Sequence, residues 1–173
     1  PNKSRTFREG NYVRGHETRC KLEENKLTKE FELFNNISGK IENTYMYSPA
    51  QLAYAGDAVY ELLVRSLILN SHDISVNKMH KLAVKFVKAE SQAYIISKLT
   101  DVLTEEEKKI VKRGRNAKVT SSPKNVDFMD YRYATGFEAL LGYLFLNKYI
   151  DRLMDIFSKI VEIILEKDDN NCE

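Results

Sequence analysis

The chain has 173 residues, 43% of them hydrophobic and 30% charged, with a net charge of +2. This suits one ordinary domain with a real core and excludes a disordered or fibrous chain. Cys20 and Cys172 sit near opposite ends, which speaks against a cysteine zinc cluster or a disulfide framework and fits a reducing, cytoplasmic setting.

No apolar run approaches the roughly 18 to 20 residues needed to span a bilayer, so no membrane association is expected. The polar N-terminus has no signal-peptide core, so no secretion is expected either. The charge is too small to announce a nucleic-acid binder, and its distribution has to carry that argument. Residues 1–40 hold nine Lys/Arg against six Asp/Glu, and the remainder eighteen against nineteen. Any basic surface on the main body is therefore local.

In chain order, residues 1–45 read as a polar extension of unknown role with little periodicity. Ser48 and Pro49 form an N-cap and first-turn pair, and the mostly apolar run AQLAYAGDAVYELLVRSLIL predicts a buried helix up to Asn70. A second start signal near residues 75–77 precedes one or two amphipathic helices through Leu99. Thr104 and Glu107 make a capping box before KKIVKRG, with Gly114 as a natural stop. RNAKVTSSPKN reads as a loop around Pro123. ATGFEALLGYLFL then predicts an apolar helix, and YIDRLMDIFSKIVEIILEK an amphipathic last one before a polar tail at residues 168–173. The fold class is all-α, with no internal repeat and no β-hairpin.

Two of these apolar helices carry carboxylates: Asp57 and Glu61 in one, Glu138 in the other. A buried, unpaired carboxylate costs several kcal/mol, so it needs a basic partner, a metal or a proton. Asp57 and Glu61 share a face, but Arg65 is four residues beyond Glu61 and offers it a simple ion pair. If Asp57 and Glu138 converge, they form an oxygen-ligand pair for a hard cation such as Mg²⁺, suited to phosphodiester hydrolysis; a salt-bridged structural role is the alternative. The segment 108–125 holds Lys108, Lys109, Lys112, Arg113, Arg115, Lys118 and Lys124 and no acid. With Asn116, Ser121, Ser122 and Asn125 it offers donors for phosphates and 2′-hydroxyls, or else it is a solvated charge run. Arg132, between Tyr131 and Tyr133, extends that surface or staples a helix start. An apolar face around Leu52, Ala53 and Val59 fits either a dimer contact or the monomer core.

GDAVYE (56–61), KRGRNAK (112–118) followed by SPKN (122–125), and YRYATGFEALLGYLFL (131–146) resemble the corresponding segments of the Mini-ribonuclease III family, in the same order. The resemblance covers residues 48–167 and leaves the extension outside it. It implies the ribonuclease III catalytic-domain fold over residues 46–167, working as a homodimer without the accessory double-stranded-RNA-binding domain. It also implies Asp57 and Glu138 as the catalytic, metal-binding pair, with Mg²⁺ as cofactor and Mn²⁺ as a substitute. Lys112, Arg113, Arg115, Asn116, Lys118, Lys124, Asn125 and Arg132 fall in segments that would face RNA, with Glu61, Lys78 and His80 in supporting places. The implied substrate is double-stranded RNA, in this branch a precursor of large-subunit ribosomal RNA. Full-length ribonuclease III carries further acids where this chain has Ala50, Ala53 and Thr135. Fewer anionic ligands make the substrate phosphate an important co-ligand. The competing expectation is a non-catalytic RNA-binding or ribosome-associated protein with the same fold.

Overall fold

Ser48 and Gln51 exchange reciprocal hydrogen bonds at the start of the first long helix: the Gln51 amide donates to Ser48 Oγ (3.3 Å), and the Ser48 amide to Gln51 Oε1 (2.8 Å). Pro49 then occupies the first helical position, where its missing N–H is harmless. The computed structural model describes residues 44–71, 74–117 and 127–170, leaving aside the side chains of Ser71 and residues 168–170. These residues form six α-helices after a short turn at Thr44–Met46, with no strand among them. They are α1 (Pro49–Ser71), α2 (Val76–Val87), α3 (Ala89–Leu99), α4 (Glu105–Arg115), α5 (Phe128–Leu146) and α6 (Ile150–Asn170). All lie within one unit, Ile41–Glu173.

The expected stretch of one or two amphipathic helices is two, broken at Lys88. That residue is extended (φ −65°, ψ 145°) and serves at once as the C-cap of α2 and the N-cap of α3. The Thr104–Glu107 capping box is present in full. Gly114, expected to stop α4, instead lies within it; the helix ends at Arg115 with Asn116 as its C-cap. Asp127 caps α5 by accepting from the Met129 and Asp130 amides at 2.8 and 3.1 Å.

α5 is the central helix, packed against α1, α3, α4 and α6. It is apolar nearly all round, as a helix surrounded by protein must be, and Phe137, Ala139, Leu140, Leu141 and Leu144 are fully or almost fully buried. Tyr60 of α1 meets Phe137 edge-on at 4.9 Å, and its hydroxyl donates to the Phe86 carbonyl at 3.3 Å. Leu52, Ala53 and Val59 are buried here, so that face of α1 belongs to the core rather than to a free surface. Glu107 and Arg152 form a largely buried pair at 2.9 Å that fastens α4 to α6.

Two crossings let neighbours approach α5 closely. A Cβ at Gly56 would lie 1.8 Å from the Glu138 carbonyl oxygen, and one at Gly142 would lie 2.0 Å from that of Leu52. Gly114 and Gly136 make the second crossing, where a Cβ at Gly136 would lie 2.8 Å from the Val111 carbonyl oxygen. Gly56→Ala and Gly142→Ala should each destabilise by more than the roughly 1–3 kcal/mol of ordinary overpacking, because the added carbon would meet backbone at 1.8 and 2.0 Å, against 2.8 Å at Gly136. Gly136→Ala should fall nearer that range. Urea denaturation of the three variants tests the order; an equal, small loss at all three would show that the helices can simply shift apart.

Candidate active site

Helical geometry and the first crossing together assemble the site. Asp57 follows Gly56, and Glu138 is the α5 residue whose backbone Gly56 touches, so the seam between α1 and α5 carries both carboxylates. Asp57 is exposed yet partly desolvated, and this burial, with the nearby Glu61 carboxylate, holds its pKa above the usual aspartate range. Glu138 is half-buried; desolvation and then repulsion from Asp57 push it up to about 8, against the opposing effect of a hydrogen bond with Gln92. No basic side chain among the described residues offsets either charge.

Glu61 takes the simpler of its two expected parts, accepting from Arg65 at 2.6 Å across one helical turn. Among the described residues no cluster of three or more His, Cys, Asp or Glu could hold a metal. The arrangement is a carboxylate pair. Such a pair fits Mg²⁺, which keeps several waters and takes one or two carboxylates together with substrate phosphate. Of the positions where full-length ribonuclease III is acidic, Ala53 is buried and the Thr135 hydroxyl donates to the Tyr131 carbonyl at 2.9 Å, so neither adds a ligand.

The second crossing brings the basic end of α4 to α5 within two residues of Glu138, since Gly114 lies against Gly136. Lys112 and Asn116 are exposed there. The three arginines are engaged within the fold. Arg113 donates to the Tyr47 carbonyl (3.3 Å), and Arg115 lies over the Tyr133 ring and donates to its hydroxyl (3.3 Å). Arg132 donates to the Arg115 carbonyl (2.7 Å) and to Asn116 Oδ1 (3.2 Å), closing the C-terminus of α4. These two bonds fasten the end of α4, not the start of Arg132's own helix as expected of a staple. Lys118, Lys124 and Asn125 lie outside the described residues. Lys78 and His80 are exposed on the first turns of α2.

Sequence reasoning missed Gln92. It is buried, 1% exposed, beside Glu138, and its place in the apolar stripe with Ile96 and Leu99 was the available signal.

A family model for the ribonuclease III domain matches residues 50–149. The chain belongs to the ribonuclease III family. Among relatives in that family, the Mini-ribonuclease 3 of Thermoanaerobacter sp. (strain X514) is 46% identical over 76% of this chain and 98% of its own length. That of Clostridium tetani is 45% identical over 73% and 84%, and that of Staphylococcus aureus 40% over 70% and 92%. A crystal structure of a protein from Fusobacterium nucleatum, 30% identical, superposes with a TM-score of 0.63 and covers 72% of this chain and 98% of that one. The ribonuclease III domain match contains both carboxylates, both glycine crossings and the basic end of α4.

The raised Glu138 pKa links the site to stability. Between the ordinary carboxylate range and pH about 8, the folded chain holds a proton that the unfolded chain has lost, so stability falls as pH rises through that window. Glu138→Gln removes this titration. In EDTA the variant should melt on the order of 5 °C above wild type at pH 8.5, with the difference closing by pH 5. Melting curves that differ equally at both pH values would show that the carboxyl is not desolvated as described.

Proposed function

We propose that this ribonuclease III-family endoribonuclease is Mg²⁺-dependent, cuts double-stranded RNA, and matures a precursor of large-subunit ribosomal RNA in the cytoplasm. Residues 46–167 form its catalytic domain, and a homodimer is its working state. The observation that carries the reading is the Asp57–Glu138 pair at the glycine crossing, two carboxylates with raised pKa and, among the described residues, no cation of the protein's own to offset them. A protein that only bound RNA would gain nothing from that electrostatic penalty. The Mini-ribonuclease 3 relatives support the same class of activity.

In this reading Asp57 and Glu138 hold Mg²⁺, or Mn²⁺ in its place. The ion, when bound, neutralises charge on a phosphoryl oxygen and lowers the pKa of a water. The water oxygen forms a bond to phosphorus as the bond from phosphorus to the 3′ oxygen breaks, leaving 5′-phosphate and 3′-hydroxyl ends. Lys112, Asn116, Lys118, Lys124 and Asn125 contact phosphates and 2′-hydroxyls, which is how A-form RNA is read across its shallow minor groove. Arg113, Arg115 and Arg132 hold the base of that segment through the contacts described, and Arg115 and Arg132 keep donors for RNA. Lys78 and His80 add phosphate contacts from α2, while Glu61 orders the Asp57 face from its pair with Arg65.

The homodimer is supported by what α1 leaves outside. Tyr54 is 86% exposed, Leu62 56% and Leu69 64%, and helical spacing sets them on one side of α1, beside Asp57 and Glu61. A second copy meeting this stripe in two-fold fashion would bury it on both chains at once. Leu62→Arg should turn a dimer into a monomer in analytical ultracentrifugation; a wild type that sediments as a monomer at micromolar concentration removes the dimer.

Cleavage of a long RNA duplex tests the activity. Mg²⁺ should support it, EDTA should stop it, and Asp57→Asn should lower it beyond the roughly 10- to 100-fold typical of losing an outer-sphere partner, with duplex binding retained. Wild-type protein that binds duplex RNA with Mg²⁺ present and never cuts it would leave the non-catalytic RNA-binding reading in its place.

A further inference from the structure

Tyr94, Ser97 and Thr100 of α3 line a groove together with Arg115 at the end of α4, Tyr133 of α5 and Lys167 of α6. Its volume of about 610 Å³ lies in the range of clefts that hold a small ligand. An adjoining hollow shares Ser97, Thr100, Arg115 and Tyr133 and adds Lys108 and Lys112, so the groove runs on along the basic end of α4. Each tyrosine has cations at its ring. Lys167 Nζ lies 4.4 Å from the Tyr94 centroid and Lys98 Nζ 5.6 Å, and the Arg115 guanidinium lies 5.4 Å from the Tyr133 centroid. Arg115 also donates to the Tyr133 hydroxyl at 3.3 Å, which fixes that ring in place. The Ser97 and Thr100 hydroxyls donate to carbonyls of their own helix, so ring face and charge are what the groove offers. Glu90 and Asp130 also border it, but Glu90 is paired with Lys88 at 2.8 Å, as Lys108 is with Glu105 at 3.0 Å. Lys112, Arg115 and Lys167 leave the balance positive.

We propose that this groove binds unpaired RNA nucleotides flanking a duplex, their bases stacked on Tyr94 and Tyr133 and their phosphates held by Lys167, Arg115 and Lys112. This rests on the reading that RNA is the substrate, and within that reading it names a class: a duplex with a single-stranded flank. A paired base is stacked inside its own helix and shows only its edges, whereas an unpaired base has a face free for an aromatic ring. A ring beside a cation meets both halves of a nucleotide, since the ring accepts any base and the cation attracts the phosphate. A duplex backbone alone would use the cations and leave the rings idle. Tyr133 and Glu138 both belong to α5, so one rigid helix sets the distance between the groove and the acidic seam.

Fluorescence anisotropy with the full chain in EDTA, at one salt concentration, reads binding without cleavage. A duplex with a short unpaired adenosine tail should, for at least one tail polarity, bind about tenfold more tightly than the same duplex with blunt ends, the scale of stacking one base on an aromatic ring. An abasic sugar-phosphate tail of equal length should gain little, although its charge is the same. Tyr94→Leu should remove most of the gain and Tyr94→Phe should keep it; a tyrosine that only packs would change tailed and blunt affinities alike. Tyr133→Leu repeats the comparison should Tyr94→Leu fail to fold. A tail that gains nothing, an abasic tail that gains as much, a folded leucine variant that keeps the gain, or loss of folding in both leucine variants overturns the proposal. Wild type that shows the gain but cuts no duplex in Mg²⁺ overturns the nuclease reading alone, whereas cleavage of blunt duplex with no gain from any tail overturns the groove alone.

Discussion

The close contact of α1 with α5 at Gly56 and Gly142 governs the rest of the molecule. Each glycine removes the Cβ that would collide with the other helix's backbone, at 1.8 and 2.0 Å from a carbonyl oxygen. Glycine inside a helix costs about 1 kcal/mol relative to alanine, so two such residues at one crossing represent stability given up for proximity. What the proximity gains is the placement of Asp57 and Glu138. They ride on two rigid helices, where the position of a side chain is set more tightly than a loop could set it. The second crossing, Gly114 on Gly136, ties α4 to the same stretch of α5. One helix segment thus carries the acidic pair on one side and the basic terminus of α4 on another.

The placement has an electrostatic consequence. Two carboxylates drawn together in a partly desolvated seam repel each other, and both are held above their usual pKa. A nearby lysine or arginine would relieve that strain, but it would also occupy the place of an external cation. Glu61 makes the contrast, since it sits one turn from Asp57 and is paired with Arg65 at 2.6 Å. Two acids on one face of one helix therefore have different chemistry, one paired internally and the other available. Packing and charge act in opposition at this seam, and the buried aromatic and aliphatic surface of α5, including the Tyr60–Phe137 contact, is what holds it closed.

Much of this was legible in the sequence because helices announce themselves locally. Ser48–Pro49 and Thr104–Glu107 are capping signals whose partners lie three residues away, and both form as expected. The carboxylates stood out because acids in apolar helices are anomalous, and the family resemblance aligned them. What was hidden depends on contacts between distant residues. Nothing near Gly114 distinguishes a stop from a crossing; its use is set by Gly136, more than twenty residues on. The break at Lys88 has no glycine or proline to mark it. Arg132 reads as one more cation of a basic surface or as a staple at a helix start, yet it closes the end of α4 through the Arg115 carbonyl. Gln92 acquires meaning only when α3 is laid against α5.

A thin ligand set has a further bearing on how such an enzyme would choose its substrate. With Ala53 buried and the Thr135 hydroxyl engaged by the Tyr131 carbonyl, those two positions leave the coordination of a cation to two carboxylates, water and whatever arrives with it. An RNA phosphate would then be part of the metal site rather than a visitor to a finished one, and affinity for cation and for duplex would rise together by thermodynamic linkage. A duplex whose phosphate falls at the α1–α5 seam while its backbone meets the end of α4 completes the site; one that satisfies only the basic contacts does not. In the proposed nuclease, discrimination would therefore come from the distance between two features that α5 holds rigid.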